Sequence, residues 1–366
     1  MTEWTPVDEQ HMRHALGLAA LGINTTDPNP RVGCVLVREG RVVGEGWHER
    51  AGGPHAEIRA LESAGAEARG ATAYVTLEPC AAHGRTPPCT AALQAAGVAR
   101  LIFAAADPNP RMRGGAEQLR AAGCTVLVGL LEREARALNV GFFARYERGR
   151  PWVRVKLGAS LDGRTALANG ESRWITGKQA RADAQLFRAR SSVVLTGIGT
   201  ALADDPAMNV RLDGATRQPL RVVLDSRLRL PPTARIIDRE GAVLLFAAAS
   251  ADPERRVTLE GRGARVESLP GAAGGGLDLA AALARLAQLE ANEVWVEAGP
   301  TLAGALLAAR LADELVIYLA PCLLGPQALP LAQLPQITAL DARLAFSFED
   351  IARIGPDLRI TARPGP

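Results

Sequence analysis

Thr76-Leu77-Glu78-Pro79-Cys80-Ala81-Ala82-His83-Gly84-Arg85-Thr86-Pro87-Pro88-Cys89 is the stretch that decides how the first half of the chain folds. The apolar run Ala73 to Leu77 leading into it reads as a strand, and residues from about Pro87 to Ala96 read as a helix. Upstream, His55-Ala56-Glu57 opens another helical stretch. One imidazole and two thiols at strand-to-helix connections supply three soft or borderline ligands. That leaves a fourth tetrahedral position for water, the ligand count of a catalytic zinc site rather than a structural one. Helix N-termini favour the thiolate form there. Glu57 lies two residues past the imidazole, near enough to move protons without binding metal. This division of labour is that of zinc nucleobase deaminases.

The pattern around this stretch alternates strands with helices. A helix is expected from Val7 to about Leu21 with Asp8 as cap, then a hairpin turning at Glu39-Gly40. Strands follow at Arg100 to Ala104 and Thr125 to Val128, with helices near Gly114 to Ala121 and from Leu131 to about Tyr146. Gly149-Arg150-Pro151 breaks the pattern, which restarts at Trp152 to Leu157. Further strands are expected at Ser192 to Thr196, Leu220 to Leu224, Ala242 to Phe246, Glu293 to Glu297, Glu314 to Leu319 and in the C-terminal segment. The glycine-rich run 271–276 reads as a loop before a helix over Leu277 to Leu289. Such alternation implies an α/β layered architecture. Two domains are expected, at 1–148 and 149–366, since 366 residues exceed what one core usually serves.

Composition excludes several classes. The chain is 48% hydrophobic and 22% charged, which rules out a disordered chain. A net charge of +3, with arginines alternating with acids, is too mild for a nucleic-acid groove. Only two lysines, Lys156 and Lys178, occur, so nearly all positive charge is arginine. Five cysteines in so long a chain do not make a disulfide scaffold and point to a reducing compartment. Cys34, Cys124 and Cys322 lie in or beside apolar runs and are expected to be inert core residues. Ala15 to Leu21 is too short to span a membrane, and the expected location is the cytoplasm.

In the second half no Gly-x-Gly-x-x-Gly follows a strand. Val296-Glu297-Ala298-Gly299-Pro300-Thr301 is the better candidate for a cofactor site. There a strand end meets a glycine and a proline at the first helical position, and such helix starts can bind pyrophosphate. An ordinary strand–helix turn would read the same.

The strings His55-Ala56-Glu57, Thr76 to Cys80, His83 to Cys89 and Asp107-Pro108-Asn109-Pro110 resemble the bifunctional riboflavin-biosynthesis deaminase–reductases. So do Lys156 to Arg164, Ser172-Arg173-Trp174-Ile175-Thr176, Leu202 to Pro206, Leu224-Asp225-Ser226 and Glu297 to Thr301. The resemblance runs in the same order over nearly the whole chain. It implies a cytidine-deaminase-like three-layer domain followed by a dihydrofolate-reductase-like domain. It also implies zinc on His55, Cys80 and Cys89, with Glu57 transferring protons. The expected reactions are hydrolytic deamination of a phosphoribosylaminopyrimidine and then NADPH reduction of its ribosyl group to ribityl. The expected partner is thus a small molecule, with no nucleic acid or membrane, and self-association is expected through the second domain.

By the same resemblance, Asn29, His48, Arg85, Asp107 and Asn109 contact the deaminase substrate. NADPH contacts are implied for Gly158, Trp174, Thr200, Asp204, Ser226, Gly299, Pro300, Thr301, Leu302, Ala303, Gly304 and Ala305. Substrate contacts in the second half are implied for Ser172, Arg188, Met208, Arg211 and Glu297, with Met208 acting through its backbone. The guanidinium forks of Arg188 and Arg211 suit a phosphate. Lys156 is expected to orient or polarise the substrate, and Asp204 to place the ribose.

Three rival readings stay open on the residues alone. A nucleic-acid-editing deaminase would need a basic, aromatic-rich face, and its second and third ligands are normally two residues apart rather than separated by Ala81 to Pro88. A zinc-stabilised binding module would need a fourth protein ligand, for which His83 is nearest. The third rival is a deaminase joined to an inactive second domain.

Overall fold

A computed structural model of the chain describes residues 4–83, 87–272 and 274–365. They form two compact units, Met1–Gly149 and Arg150–Pro366. The first runs α1 (Pro6–Ala20), β1 (Gly33–Arg38), β2 (Arg41–Trp47), α2 (Ala56–Ala64), β3 (Thr72–Leu77), α3 (Cys89–Ala96), β4 (Arg100–Ala105), α4 (Gly115–Ala121), β5 (Thr125–Val128), α5 (Glu132–Leu138) and α6 (Val140–Arg148). The sheet order is β2-β1-β3-β4-β5, with β1 antiparallel to β2 and β3, and β3, β4 and β5 parallel.

Alternation along the strands sends side chains to opposite faces. Cys34 and Leu36 of β1 pack under α2 and α3 with Ala56, Ala60 and Leu93. Val35 and Val37 pack against α1 and α6 with Met12, Ala15, Phe142 and Phe143. Three layers result. The hairpin turns at Glu39-Gly40 with φ of 51° and 74°, the double positive φ of a tight two-residue connection.

Two expectations need correcting. The cap of α1 is Thr5, not Asp8. Thr5 Oγ1 accepts the Asp8 N–H at 3.2 Å while the Asp8 carboxylate accepts the Thr5 N–H at 2.7 Å, a reciprocal capping box. The helix expected from Leu131 to Tyr146 divides at Asn139. The buried Asn139 amide accepts the Arg31 N–H at 2.8 Å and donates to the Arg31 carbonyl at 2.9 Å, a tertiary pairing that outweighs helical periodicity.

Glycine lets α2, which begins just after His55, lie close on β2. A Cβ on Gly46 would stand 2.4 Å from the Arg59 Cβ and 2.7 Å from the Ala60 nitrogen. Gly46→Ala is therefore expected to lift α2 and to cost about 1–3 kcal/mol by overpacking. A lower thermal midpoint together with reduced zinc content is the result to look for.

The second unit runs β6 (Trp152–Ser160), β7 (Arg164–Ala166), α7 (Lys178–Arg190), β8 (Val193–Gly197), α8 (Ile198–Asp204), β9 (Leu220–Leu224), β10 (Val243–Ala248), α9 (Pro253–Gly261), β11 (Arg265–Leu269), α10 (Leu279–Gln288), β12 (Glu293–Glu297), α11 (Pro300–Ala308), β13 (Glu314–Ala320), β14 (Leu329–Pro330), β15 (Phe346–Ile354) and β16 (Asp357–Pro364). Its main sheet has the order β11-β10-β9-β8-β12-β6-β13-β16-β15. The pairs from β11 to β13 are parallel, and β16 and β15 add antiparallel pairs. From β6 the chain moves outward through β8 to β11, and β12 then returns to the gap between β8 and β6. This is a topological switch point, and the crevice at the strands' carboxyl ends there is where open α/β sheets bind ligands. Helix α7 was not expected: its sequence Lys178 to Arg190 is too polar to show an apolar stripe.

Candidate active sites

In the first unit, His55 is the N-cap residue of α2 and Cys89 is the first residue of α3, while Cys80 follows the end of β3. Their donor atoms lie within 4.8 Å of one another, and among the described residues no other such group of His, Cys, Asp or Glu occurs. His55 Nδ1 is 3.2 Å from the Cys89 sulfur and 3.7 Å from that of Cys80. Tetrahedral bonds of about 2.0–2.3 Å set donor separations of roughly 3.3–3.8 Å, so the set fits zinc. The Cys89 N–H donates to the Cys80 sulfur at 3.2 Å. The hydrogen bond from Cys89, with further help from His55, holds the Cys80 thiol down at about 4 against its burial. The Cys89 thiol is pushed up by the Cys80 sulfur beside it and by burial. One thiol ionises readily and the other resists, so a divalent cation is what both need to become thiolates.

Glu57 is 3% exposed, and burial raises its carboxyl above the ordinary range, opposed by His55. A buried carboxyl beside these donors is placed to take up and hand on a proton. His48 is buried as well. Its Nδ1 donates to the Pro54 carbonyl at 3.0 Å, which leaves Nε2 to accept from Asn29 Nδ2 at 3.0 Å. Asp107 accepts the Asn109 N–H at 2.8 Å, and burial pushes its carboxyl up to about 7. Arg85 lies outside the described residues. His83 is exposed and stands apart from the three-ligand cluster, so it is no fourth ligand. Of the three cysteines expected in the core, only Cys34 is buried; Cys124 and Cys322 are half-exposed at element ends.

In the second unit, Lys156 of β6 and Glu297 at the end of β12 are register partners and share one face of the sheet. Arg188, from α7, makes a bidentate pair with Glu297 at 2.5 and 2.7 Å and donates to the Asn209 carbonyl at 2.9 Å. Trp295 donates its indole N–H to Glu297 at 2.8 Å. Burial would raise the Glu297 carboxyl, but Arg188, Lys156 and Trp295 hold it at about 2. Burial lowers the Lys156 ammonium. The Arg188 fork, expected on a phosphate, thus already grips Glu297, while Arg211 is exposed nearby with the charge of Arg188 acting on it.

The helix start at Gly299 is held by Thr200, whose hydroxyl accepts the Gly299 N–H at 3.0 Å. Gly304 is where α11 meets the backbone of Gln333; a Cβ there would stand 1.9 Å from the Gln333 oxygen, so that glycine serves packing. Arg173 donates to the Asp204 carbonyl and lies 3.7 Å from its carboxylate, and Trp174, 68% exposed, has the Arg181 guanidinium 4.2 Å from its ring centre. Ser172 lies in that same segment and Gly158 on β6, with space for a Cβ. Met208 has a φ of 54° and a buried side chain, so only its backbone could face a ligand. Ser226 follows β9, one strand beyond β8.

Residues 151–360 match the family described as the RibD C-terminal domain, and residues 5–105 match the cytidine and deoxycytidylate deaminase zinc-binding region. The riboflavin biosynthesis protein RibD of Escherichia coli K12 is 50% identical over 368 residues, covering 96% of this chain and 98% of that one. The chain belongs to the RibD family. The solved structure of Acinetobacter baumannii RibD superposes with a TM-score of 0.92 at 42% identity, covering 98% of this chain and 99% of that one. A Thermotoga maritima diaminohydroxyphosphoribosylaminopyrimidine deaminase/5-amino-6-(5-phosphoribosylamino)uracil reductase has a TM-score of 0.86 at 31% identity, with 98% and 99% covered.

The protein is accordingly a bifunctional deaminase and reductase of riboflavin biosynthesis, using zinc and NADPH. Its domains have the cytidine-deaminase-like and dihydrofolate-reductase-like folds that the sequence motifs implied. Among the described residues no helix is long and apolar enough to cross a membrane. Two residues of these sites carry no separate signal in the sequence: Glu78, which gathers three backbone N–H groups, and Trp295, which holds Glu297. Glu78 acts on groups far along the chain, whereas Trp295 lies only two residues before the carboxylate it holds.

Proposed function

We propose that residues 1–148 hydrolyse 2,5-diamino-6-(5-phosphoribosylamino)pyrimidin-4-one to 5-amino-6-(5-phosphoribosylamino)uracil, and that residues 149–366 reduce the ribosyl group of that product to ribityl. The observation that carries this reading is the His55–Cys80–Cys89 donor cluster with a buried carboxyl, Glu57, two residues from the imidazole. The Thermotoga maritima relative bears the names of both activities, which supports the choice of substrate.

In the deaminase, His55, Cys80 and Cys89 hold zinc, which when bound acidifies a water molecule. Glu57 takes a proton from the attacking water and delivers it to the departing amino nitrogen, so that water enters and ammonia leaves. His48 keeps the Asn29 amide turned to one side, and Asn29, His48, Asp107, Asn109 and Arg85 bind the substrate.

In the reductase, NADPH supplies the two electrons, and the chain aligns donor with acceptor and excludes water. Gly158, Trp174, Thr200, Asp204, Ser226 and the Gly299 to Ala305 segment hold the cofactor, Gly304 by letting α11 pack on the Gln333 backbone and the Thr200 hydroxyl by fixing the start of α11. Lys156 orients or polarises the sugar, and Asp204 places it. Ser172, Arg188, the Met208 backbone, Arg211 and Glu297 line the substrate side. Because Arg188 is already paired with Glu297, Arg211 is the residue for the phosphate.

We also place the protein in the cytoplasm, a choice supported by five free thiols. Self-association through the second unit is supported by Phe348 and Ile351, exposed on edge strand β15. The test is mass spectrometry of products from the diaminopyrimidine with zinc-loaded protein, with and without NADPH. Replacement of nitrogen by oxygen is expected in both tubes, and two added hydrogens only with NADPH. Unchanged substrate in both, with zinc bound, would sink the reading.

A further inference from the structure

We propose that Glu78 is a substrate-positioning residue of the deaminase, its carboxylate holding the 105–116 segment in the shape that presents Asp107 and Asn109. The proposal rests on the reading above, in which those two side chains touch substrate. Glu78 is 8% exposed, between the end of β3 and Cys80. Its two oxygens serve opposite ends of one loop. Oε2 accepts the Asp107 N–H at 3.2 Å, and Oε1 accepts the N–H groups of Gly114 and Ala116, both at 3.1 Å.

Between these anchors the segment closes on itself. Asp107 accepts the Asn109 N–H at 2.8 Å, and the Asn109 carbonyl accepts those of Met112 and Arg113 at 3.0 and 3.1 Å. The far anchor cannot slide to compensate for a loss. A Cβ on Gly115 would stand 1.9 Å from the Pro79 oxygen, so α4 already touches the backbone beside Glu78. When the carboxylate is weakened, the Asp107 end is the part that moves. Glutamine offers only one acceptor oxygen, so Glu78→Gln cannot satisfy both ends at once.

The experiment measures deaminase kinetics without NADPH for the wild type, Glu78→Gln, Asn109→Ala and the double variant. Zinc content is measured alongside, with reductase activity on 5-amino-6-(5-phosphoribosylamino)uracil as a control. Loss of a charge-assisted hydrogen bond is expected to raise the KM of Glu78→Gln by ~10- to 100-fold with kcat nearly unchanged. Zinc content and reductase activity stay at wild-type levels. In the double variant, KM rises no further than in the worse single variant, because both changes remove the same contact.

Independent, multiplying effects overturn the proposal, as does an unchanged KM. A harmless Asn109→Ala overturns the substrate-loop reading itself, and the proposal with it. Glu78→Asp keeps both oxygens on a shorter stem. Loss of zinc or of reductase activity in both Glu78 variants would assign the residue to folding and overturn the proposal.

Discussion

Glu57→Gln keeps its zinc and loses deamination by a factor of ~10²–10⁴, the usual worth of a positioned general acid–base. The side chain is buried beside the metal ligands without belonging to their cluster, so an isosteric amide leaves His55, Cys80 and Cys89 in place. What disappears is the ability to accept a proton and hand it on. An amide has no proton to exchange in this way, whereas burial raises the Glu57 carboxyl above its ordinary value and so favours its holding one. Ammonia release and metal content are the measurements, with reduction of the deaminated uracil as a control in the same molecule. A variant that released ammonia at the normal rate would end the proton-shuttle assignment. One that lost zinc would show Glu57 to be part of the metal's support.

Arg154→Met is expected to cost ~3–5 kcal/mol of stability in the second unit, the penalty for stranding buried charges. Arg154, on β6, is 4% exposed; it pairs with Glu293 of β12 and donates to Glu314 of β13 at 2.6 Å. Both carboxylates are almost fully buried. Burial alone would lower the Arg154 guanidinium, but Glu293 and Glu314 outweigh it and raise it. Arg190, 3.3 Å from Glu293, and Arg363, 3.3 Å from Glu314, approach from the rim and are more exposed than Arg154, so they compensate only in part. Chemical denaturation of the variant reads the loss. Adding Glu293→Leu and Glu314→Leu to Arg154→Met should recover most of it, because an apolar trio no longer holds unpaired charge. A single variant as stable as the wild type would mean that water reaches these carboxylates.

The clustering of His55, Cys80 and Cys89 was legible because its logic is local. His55 and Glu57 sit two residues apart on the first turn of α2, and Pro79-Cys80 and Cys89 bracket a single strand–helix connection. Backbone geometry alone carries such residues to one end of a sheet. The break at Asn139 was not legible, because its cause is the Arg31 backbone 108 residues away. The pairing of Arg188 with Glu297 spans 109 residues and could not be read from either residue's surroundings. The sequence assigns each to the substrate separately, and the tertiary structure joins them to one another.

Local periodicity and ligand spacing, acting through short stretches of backbone, determined the α/β alternation, the two-part division and the grouping of His55, Cys80 and Cys89. Only tertiary packing decided which buried charges neutralise each other, which glycines are needed for close approach at Gly46, Gly115 and Gly304, and how Glu78 reaches Asp107. The reason is that a buried polar group must find its partner wherever the fold brings one, and distance along the chain does not enter that requirement.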